Sequence, residues 1–169
     1  MRRFGLVICL VFLFAVGVQA QGKVASQWNC GKAMVEHSID VGDQPGHAYV
    51  VSQTKCAAAK GEIGGAQEKE GIGTEFHDVM GSNLSWHGIF VTTLAGGDKI
   101  HYSYKGTGTA KGGQFVSGSN TWTIFGGTGK FKGAKGEGSC KGKGNPDRTA
   151  TWDCTGTYNV PAAAPAKKM

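Results

Sequence analysis

The sequence predicts an all-β protein that folds into a single eight-stranded antiparallel β-barrel with two disulfide-bonded hairpins. Three features predict this fold: cysteines that pair across turns, successive strand-like runs without a convincing long amphipathic helix, and 29 glycines among 169 residues. That glycine content is more than twice the usual share of about 7% and is typical of turns and of closely approaching strands. An even number of similar strands joined by hairpins favours closure, since a closed barrel has no unpaired edge. A β-sandwich is the structural alternative.

Residues 1–20 have the pattern of a secretory signal peptide. Arg2 and Arg3 precede a short apolar run, and Val18-Gln-Ala20 offers small residues at the usual cleavage spacing. A transmembrane anchor needs about 20 apolar residues, which is more than this run contains. We therefore expect no membrane anchor and export to the periplasm or the outside medium. The β-barrel domain is expected over residues 21–160 and a disordered, Pro/Ala-rich tail over residues 161–169.

The positive charge of the chain is modest and dispersed. The formal net charge of +6 includes Arg2 and Arg3, so the exported chain carries two positive charges fewer. Five lysines between positions 130 and 143 fall mostly at alternating positions, as on the solvated face of strands. This pattern does not favour nucleic-acid binding.

Eight strand-like segments follow one another along the exported chain. Turn-forming segments rich in glycine, asparagine, aspartate and proline separate them, with one longer loop over residues 60–69. The predicted strands cover approximately residues 28–41, 46–58, 70–80, 84–95, 98–110, 113–125, 135–143 and 149–159.

The cysteines of the exported chain lie in two pairs, each placed symmetrically about a turn. Residues directly opposite in an antiparallel hairpin have a constant index sum, and their Cβ atoms are close enough for a disulfide. Of the three possible connectivities of four cysteines, we predict Cys30–Cys56 and Cys140–Cys154. A zinc site is the alternative, but the spacings lack any Cys-x2-Cys pair, and export favours disulfides.

The sequence pattern of the last hairpin predicts its strand register. With Cys140 opposite Cys154, Gly142 faces Trp152, and one face carries glycines, cysteines and aromatic rings. The other face is polar throughout, which is the alternation of a half-buried antiparallel sheet. A ring that lies across a bare glycine backbone stabilises the strands.

The central hairpin is less certain in register. A turn centred on Gly96-Gly97 predicts that His87, Tyr102 and Tyr104 point into the barrel. The same register places Trp86, Phe90 and Leu94 outward in one stripe. An exposed apolar stripe favours a subunit contact, so we expect a homo-oligomer, a trimer or a dimer. A register error of one residue would instead place this stripe in the core.

The segment Trp122-Thr-Ile-Phe-Gly-Gly-Thr-Gly-Lys-Phe-Lys-Gly-Ala-Lys-Gly136 resembles the signature of the allene oxide cyclase and dirigent-protein superfamily. In both, a strand runs into Gly-Gly-Thr/Ser-Gly-x-Phe before a glycine opens the next strand. The resemblance implies an eight-stranded antiparallel barrel, often trimeric, with an apolar cavity. Relatives use that cavity to cyclise a fatty-acid epoxide or to steer radical coupling of phenols. No catalytic residue of the family matches a position here, so none is carried over. Phe131 is expected to plug one end of the barrel.

The barrel interior is the predicted binding site for a small apolar or phenolic ligand. An eight-stranded barrel is wide enough to be filled by side chains or to hold one small ligand. Buried tyrosine and histidine supply polar tips on apolar bodies, and Asp78 beside His87 would form an acid/base pair. The alternative is that these groups only satisfy one another in a core. The candidate ligand-binding residues are His87, Tyr102, Tyr104, Asp78, Phe76 and Trp122.

Three classes of function follow from the sequence. The first is a secreted binding barrel, the second is an isomerase or cyclase of the allene oxide cyclase type, and the third is a ligandless structural or interaction barrel. Cavity volume separates the third class from the others, because a drug-sized ligand needs about 300 Å³. The histidines show no paired ligand spacing, so no metal and no cofactor are predicted.

Overall fold

The computed structural model describes residues 21–161. The predicted signal peptide and residues 162–169 of the predicted tail lie outside the described residues. The described part of the chain forms nine strands: β1 (Gln21–Asp40), β2 (His47–Lys60), β3 (Glu62–Ile63), β4 (Ala66–Met80), β5 (Asn83–Leu94), β6 (Lys99–Lys111), β7 (Gln114–Gly127), β8 (Lys135–Gly144) and β9 (Ala150–Asn159). A 3-10 helix, Gly129–Phe131, precedes β8. No helix within residues 21–161 is both long and apolar enough to cross a membrane.

The eight long strands form a closed antiparallel barrel, as the sequence predicts. Each strand pairs with its neighbours in the chain, except that β4 pairs with β2 and β9 pairs with β1. The two-residue β3 adds a short pairing to β4 at one rim. Pairing between β1 and β9 begins at Gln21, so β1 starts seven residues before the predicted strand at 28. These first residues close the barrel against the last strand.

Both predicted disulfides are present. Cys30 bonds to Cys56 and Cys140 to Cys154, and each pair lies directly opposite in its hairpin. The β8–β9 ladder is regular throughout, with Gly142 opposite Trp152 as predicted. In the β1–β2 hairpin, register shifts between residues 30 and 35 adjust the pairing between the disulfide and the turn.

The central hairpin differs from its predicted register by one residue. Phe90 lies opposite Tyr102 and Trp86 lies opposite Gly106. The prediction centred the turn between Gly96 and Gly97, which implies a loop with an even number of residues. The observed loop has an odd number of residues, and the Leu94 N–H donates a hydrogen bond of 2.9 Å to the Asp98 carbonyl across it. Because side chains alternate along a strand, this shift exchanges the two faces of β5.

The predicted outward stripe is therefore wrong. Trp86 and Leu94 are buried, at 6% and 1% exposed, and Phe90 packs against the same core. His87 is exposed on the outer face. The stripe lies in the core, as expected for a register error of one residue. The predicted homo-oligomer was based on this stripe as an exposed surface, and that basis is lost.

Phe131 plugs one end of the barrel, as expected. Its side chain is fully buried and packs in the same core as Ile63, Leu94 and Ile100. A Cβ added to Gly64 would lie 2.9 Å from the Phe131 ring, so the β3–β4 turn approaches the plug closely. At the other end lie the β1–β2 and β8–β9 turns, where the half-exposed Glu36 and Arg148 line the barrel cavity.

Glycines inside the barrel provide the space in which large rings lie. A Cβ added to Gly106 or Gly118 would fall 2.6 Å from the Trp86 indole, and one added to Gly142 would fall 2.6 Å from Trp152. This arrangement confirms the predicted pairing of glycine with aromatic rings.

Candidate ligand-binding cavity

The barrel encloses a cavity of about 260 Å³. All four tryptophans of the chain line it, together with phenylalanine and tyrosine side chains. The half-exposed Glu36 and Arg148 belong to the lining at the end of the barrel away from Phe131, which we call the mouth. Its aromatic lining comprises Trp28, Trp86, Trp122, Trp152, Phe90, Phe115, Tyr102 and Tyr104.

The rings of the lining pack mainly edge to face. Trp28 and Phe90 meet at 5.1 Å with an interplanar angle of 83°, and Tyr102 and Trp122 meet at 5.5 Å and 84°. Such offsets place the electropositive edge of one ring against the electronegative face of another. They also fix the ring orientations, so that the walls of the cavity are preformed.

A polar network crosses the middle of the cavity. The Tyr104 hydroxyl donates a hydrogen bond of 2.6 Å to Glu75 Oε1, and Glu75 Oε2 lies 3.0 Å from His77 Nε2. The same His77 nitrogen lies 3.1 Å from the Ser52 hydroxyl. Burial and the adjacent Glu75 carboxylate raise the pKa of Tyr104. The phenol therefore remains protonated and acts as a hydrogen-bond donor at neutral pH.

A second acidic group lies nearer the plugged end. Glu68 is 7% exposed, and the Ser26 hydroxyl donates a short hydrogen bond to Glu68 Oε2. Burial raises the pKa of Glu68, while the Ser26 hydrogen bond opposes the rise. Burial and the Glu68 carboxylate likewise raise the pKa of the adjacent Tyr102.

Three polar atoms of the cavity lining have unused hydrogen-bonding capacity. Thr92 Oγ1, Tyr102 Oη and Asn120 Oδ1 are buried and make no hydrogen bond of ordinary geometry within the described part of the chain. Tyr102 interacts electrostatically with Glu68 and lies beside Thr92. Buried polar atoms in folded proteins usually have partners, so these positions point to water or to a bound molecule.

The mouth carries a charged pair. Arg148 Nη2 lies 3.9 Å from Glu36 Oε1, and both side chains are about half exposed. Arg148 adopts a left-handed backbone conformation, φ 68°, in the β8–β9 turn. The neighbouring rim is apolar, with Leu84, Phe115 and Trp152.

Three of the six predicted ligand-binding residues line the cavity and three do not. Tyr102, Tyr104 and Trp122 face the interior. His87, Asp78 and Phe76 lie together on the outer face instead, where the rings of Phe76 and His87 are 5.4 Å apart. On this face Asp78 Oδ1 lies 3.2 Å from His47 Nε2, within hydrogen-bonding distance. Their predicted inward placement is wrong because it followed the shifted register of β5.

Sequence reasoning missed the acidic side chains of β4. Glu75 and His77 alternate with the predicted Phe76 and Asp78 and therefore occupy the opposite face of the strand. A signal for this face was present: Gly71 and Gly73 share its parity, and inward glycines mark the interior of the other strands. A bulge between residues 68 and 70 separates Glu68 from the rest of β4, so that even-numbered rather than odd-numbered residues face inward before it. Simple alternation along the strand therefore could not predict that Glu68 faces the interior.

A closed antiparallel barrel with a preformed, aromatic-lined cavity and buried acidic groups has the features of a small-molecule binding site. Among residues 21–161 no group of three or more histidine, cysteine or acidic side chains is arranged to hold a metal ion. The two disulfides fit an oxidising compartment.

The fold is that of the dirigent proteins. The pterocarpan synthase dirigent protein PsPTS1 superposes with a TM-score of 0.51 at 12% identity, covering 85% of this chain and 97% of that one. The pterocarpan synthase dirigent protein GePTS1 gives the same TM-score at 11% identity, covering 94% and 97%. The dirigent-like barrel expected from the glycine-rich segment is thereby confirmed as a fold. No protein-family model matches the sequence, and no curated protein is similar to it.

Proposed function

We propose that this chain is exported, to the periplasm or the outside medium, and binds a small phenolic ligand inside its barrel. The observation that carries the proposal is a preformed aromatic cavity crossed by the Tyr104–Glu75–His77 network. The dirigent-like fold and the disulfides support it. An N-terminus at or near Gln21 in protein purified from its source tests the export step.

The cavity volume limits the size of the ligand. A dry apolar cavity of about 150 Å³ accommodates benzene, and drug-sized ligands occupy roughly 300–1,000 Å³. The volume of about 260 Å³ is below the range for drug-sized ligands, which rules out a ligand of that size, but it is larger than the cavity that accommodates benzene. A ligand with one aromatic ring and a short substituent fits it.

The polar network supplies the specificity for a hydroxyl group. Glu75 and Ser52 carry acceptor oxygens, and the Tyr104 hydroxyl and the ring nitrogen of His77 complete a chain of hydrogen-bonding groups. A buried site built to hydrogen-bond a hydroxyl discriminates against the analogue that lacks it, because its own polar groups are then left unpaired. The aromatic walls contribute affinity through apolar burial and ring packing.

Calorimetric titration with 4-propylphenol and with propylbenzene tests the proposal. We expect the phenol to bind and propylbenzene to bind more weakly. Thr54→Phe places a ring inside the cavity and should abolish binding. Gln53→Phe is the matched control, because Gln53 is the preceding residue of β2 and faces outward. Failure of the wild-type protein to bind either compound would contradict the proposal and favour a ligandless structural barrel.

A further inference from the structure

The cavity lining carries more acidic than basic side chains. Its carboxylates are Glu36, Glu68 and Glu75, and its basic groups are His77 and Arg148. Each basic group already has a carboxylate beside it: Arg148 pairs with Glu36 at the mouth, and His77 lies 3.0 Å from Glu75. Glu68 is left as the cavity carboxylate with no basic partner among the described residues.

Glu68 is also the most deeply buried of these carboxylates. It is 7% exposed and receives a hydrogen bond from the neutral Ser26 hydroxyl rather than from a cation. A buried ionised carboxylate is costly unless it is paired, so an isolated one in an apolar surrounding favours any ligand that brings a positive charge. Burial raises the pKa of Glu68 and so favours its neutral form, whereas a ligand cation beside it would favour the carboxylate at this one place.

The unused hydrogen-bonding capacity of the cavity lining fits the same conclusion. An ammonium group has three donors and no acceptor. The buried cavity atoms without hydrogen-bond partners in residues 21–161, Thr92 Oγ1, Tyr102 Oη and Asn120 Oδ1, can all accept hydrogen bonds. A carboxylate ligand would find Glu68 repulsive, and a purely apolar ligand would leave all of these acceptors unpaired.

The aromatic walls add to this preference. Four tryptophans, two tyrosines and two phenylalanines line the cavity, and the faces of such rings attract cations. Tyr102, which lies beside Glu68, has its ring edge to face with Trp122 and tilted against Phe90. A cation at Glu68 would thus lie among aromatic rings as well as next to a carboxylate.

We propose that the cavity selects a singly charged arylalkylamine, whose ammonium group pairs with Glu68 while its ring lies among the aromatic walls. This inference rests on the proposed function, since it names the class of ligand that the same cavity takes. It makes Glu68 the residue that determines specificity for charge.

Three ring-matched compounds test the inference on the wild-type protein. They are 4-(2-aminoethyl)phenol, which is a cation at pH 7, neutral 4-propylphenol, and anionic 3-(4-hydroxyphenyl)propanoic acid. A charge-assisted hydrogen bond at a buried site corresponds to about a tenfold gain in affinity. Calorimetric titration should therefore give a dissociation constant about tenfold lower for the amine than for the phenol, with the acid weakest.

Glu68→Gln removes the charge and keeps the size and the hydrogen bond to Ser26. In this variant the affinity for the amine should fall to that for 4-propylphenol, whose own affinity should stay the same. Glu137→Gln removes one negative charge from the outer face of β8 and should leave the advantage of the amine intact. Near-ultraviolet circular dichroism checks that both variants are folded. If a variant is not folded, the comparison of the three compounds on the wild-type protein decides whether the cavity prefers the amine.

The outcomes separate this inference from the proposed function. If 4-propylphenol binds and the amine binds no more tightly, the inference fails and the proposed function stands. If the amine is preferred but the preference survives Glu68→Gln, the assignment to Glu68 is overturned. If none of the three compounds binds, both proposals fail.

Discussion

Glu75 and Tyr104 are joined by a hydrogen bond of 2.6 Å that passes over the glycine between them. Gly88 on β5 lies opposite Glu75 on β4 and opposite Tyr104 on β6, so the three residues form one row across the sheet. A Cβ at Gly88 would fall 3.1 Å from the Glu75 side chain. The absence of a side chain in the middle strand therefore lets the two outer residues meet inside the barrel.

Removal of the Tyr104 hydroxyl should weaken both the fold and the recognition of phenols. Tyr104→Phe deletes a buried hydrogen bond to a charged acceptor, and we expect the free energy of unfolding to fall by about 1–3 kcal/mol. The preference for 4-propylphenol over propylbenzene should also narrow. Tyr49→Phe, on the outer face, is the matched control and should change neither quantity. Guanidinium unfolding and calorimetry measure the two effects, and equal behaviour of the two variants would contradict the role of the network.

Alkaline pH should destabilise the barrel through Tyr102 and Tyr104. Burial, with a carboxylate nearby, raises the pKa of both phenols in the folded state. Their contribution to stability is fully present below the unfolded pKa of about 10 and is lost as the pH rises above it, because the unfolded chain releases these protons first.

Absorbance at 295 nm measures this titration directly. Of the four tyrosines, Tyr102 and Tyr104 should ionise only together with unfolding. Ionisation of Tyr102 and Tyr104 near pH 10, with the near-ultraviolet circular dichroism of the folded protein preserved, would contradict the burial of the pair.

The bare backbone beneath Trp86 should tolerate no side chain. A Cβ at Gly106 would lie 2.5 Å from the Ser119 carbonyl and 2.6 Å from the indole. Gly106→Ala should therefore cost about 1–3 kcal/mol through overpacking. Gly126→Ala is the control, because no atom lies within 4 Å of its added Cβ and the change should stay within about 0.5 kcal/mol. Thermal unfolding compares the two, and similar melting temperatures would contradict this packing.

Each disulfide should stabilise the barrel by restricting the unfolded chain. The Cys140–Cys154 bond closes a separation of 14 residues, for which loop-entropy arguments give about 3 kcal/mol. Replacement of both cysteines by serine should lower the free energy of unfolding by that amount. The same change at Cys30–Cys56, with a separation of 26, should cost slightly more. Unchanged unfolding midpoints after either replacement would show that the bonds do not constrain the unfolded chain.

The sequence predicted the fold and the last hairpin because two independent constraints agreed there. Cys140 and Cys154 fix one pairing, and the alternation of glycine and aromatic residues with charged ones fixes the same pairing. No disulfide restrains the β5–β6 hairpin. The glycine pair at its turn fits a loop with an even or an odd number of residues. Because the even loop was chosen, His87 was predicted to face inward and Trp86 outward, the reverse of the structure.

The candidate site was predictable only in part for the same reason. Tyr102 and Tyr104 were placed correctly, since β6 was assigned its true inward face, and Trp122 also lines the cavity as predicted. Glu68 and Glu75 are charged, and a rule that puts polar side chains outward excludes them. A buried carboxylate becomes evident only when the barrel is closed and its neighbours are known.

A crystal structure of the protein grown with saturating 4-propylphenol tests the central claim most directly. We predict one aromatic ring inside the barrel, between the walls formed by Trp86 and Trp152, with its hydroxyl within hydrogen-bonding distance of the Glu75 network. An interior that contains only water, or a ring bound only on the outer face of the barrel, would contradict the claim that this cavity is a ligand-binding site.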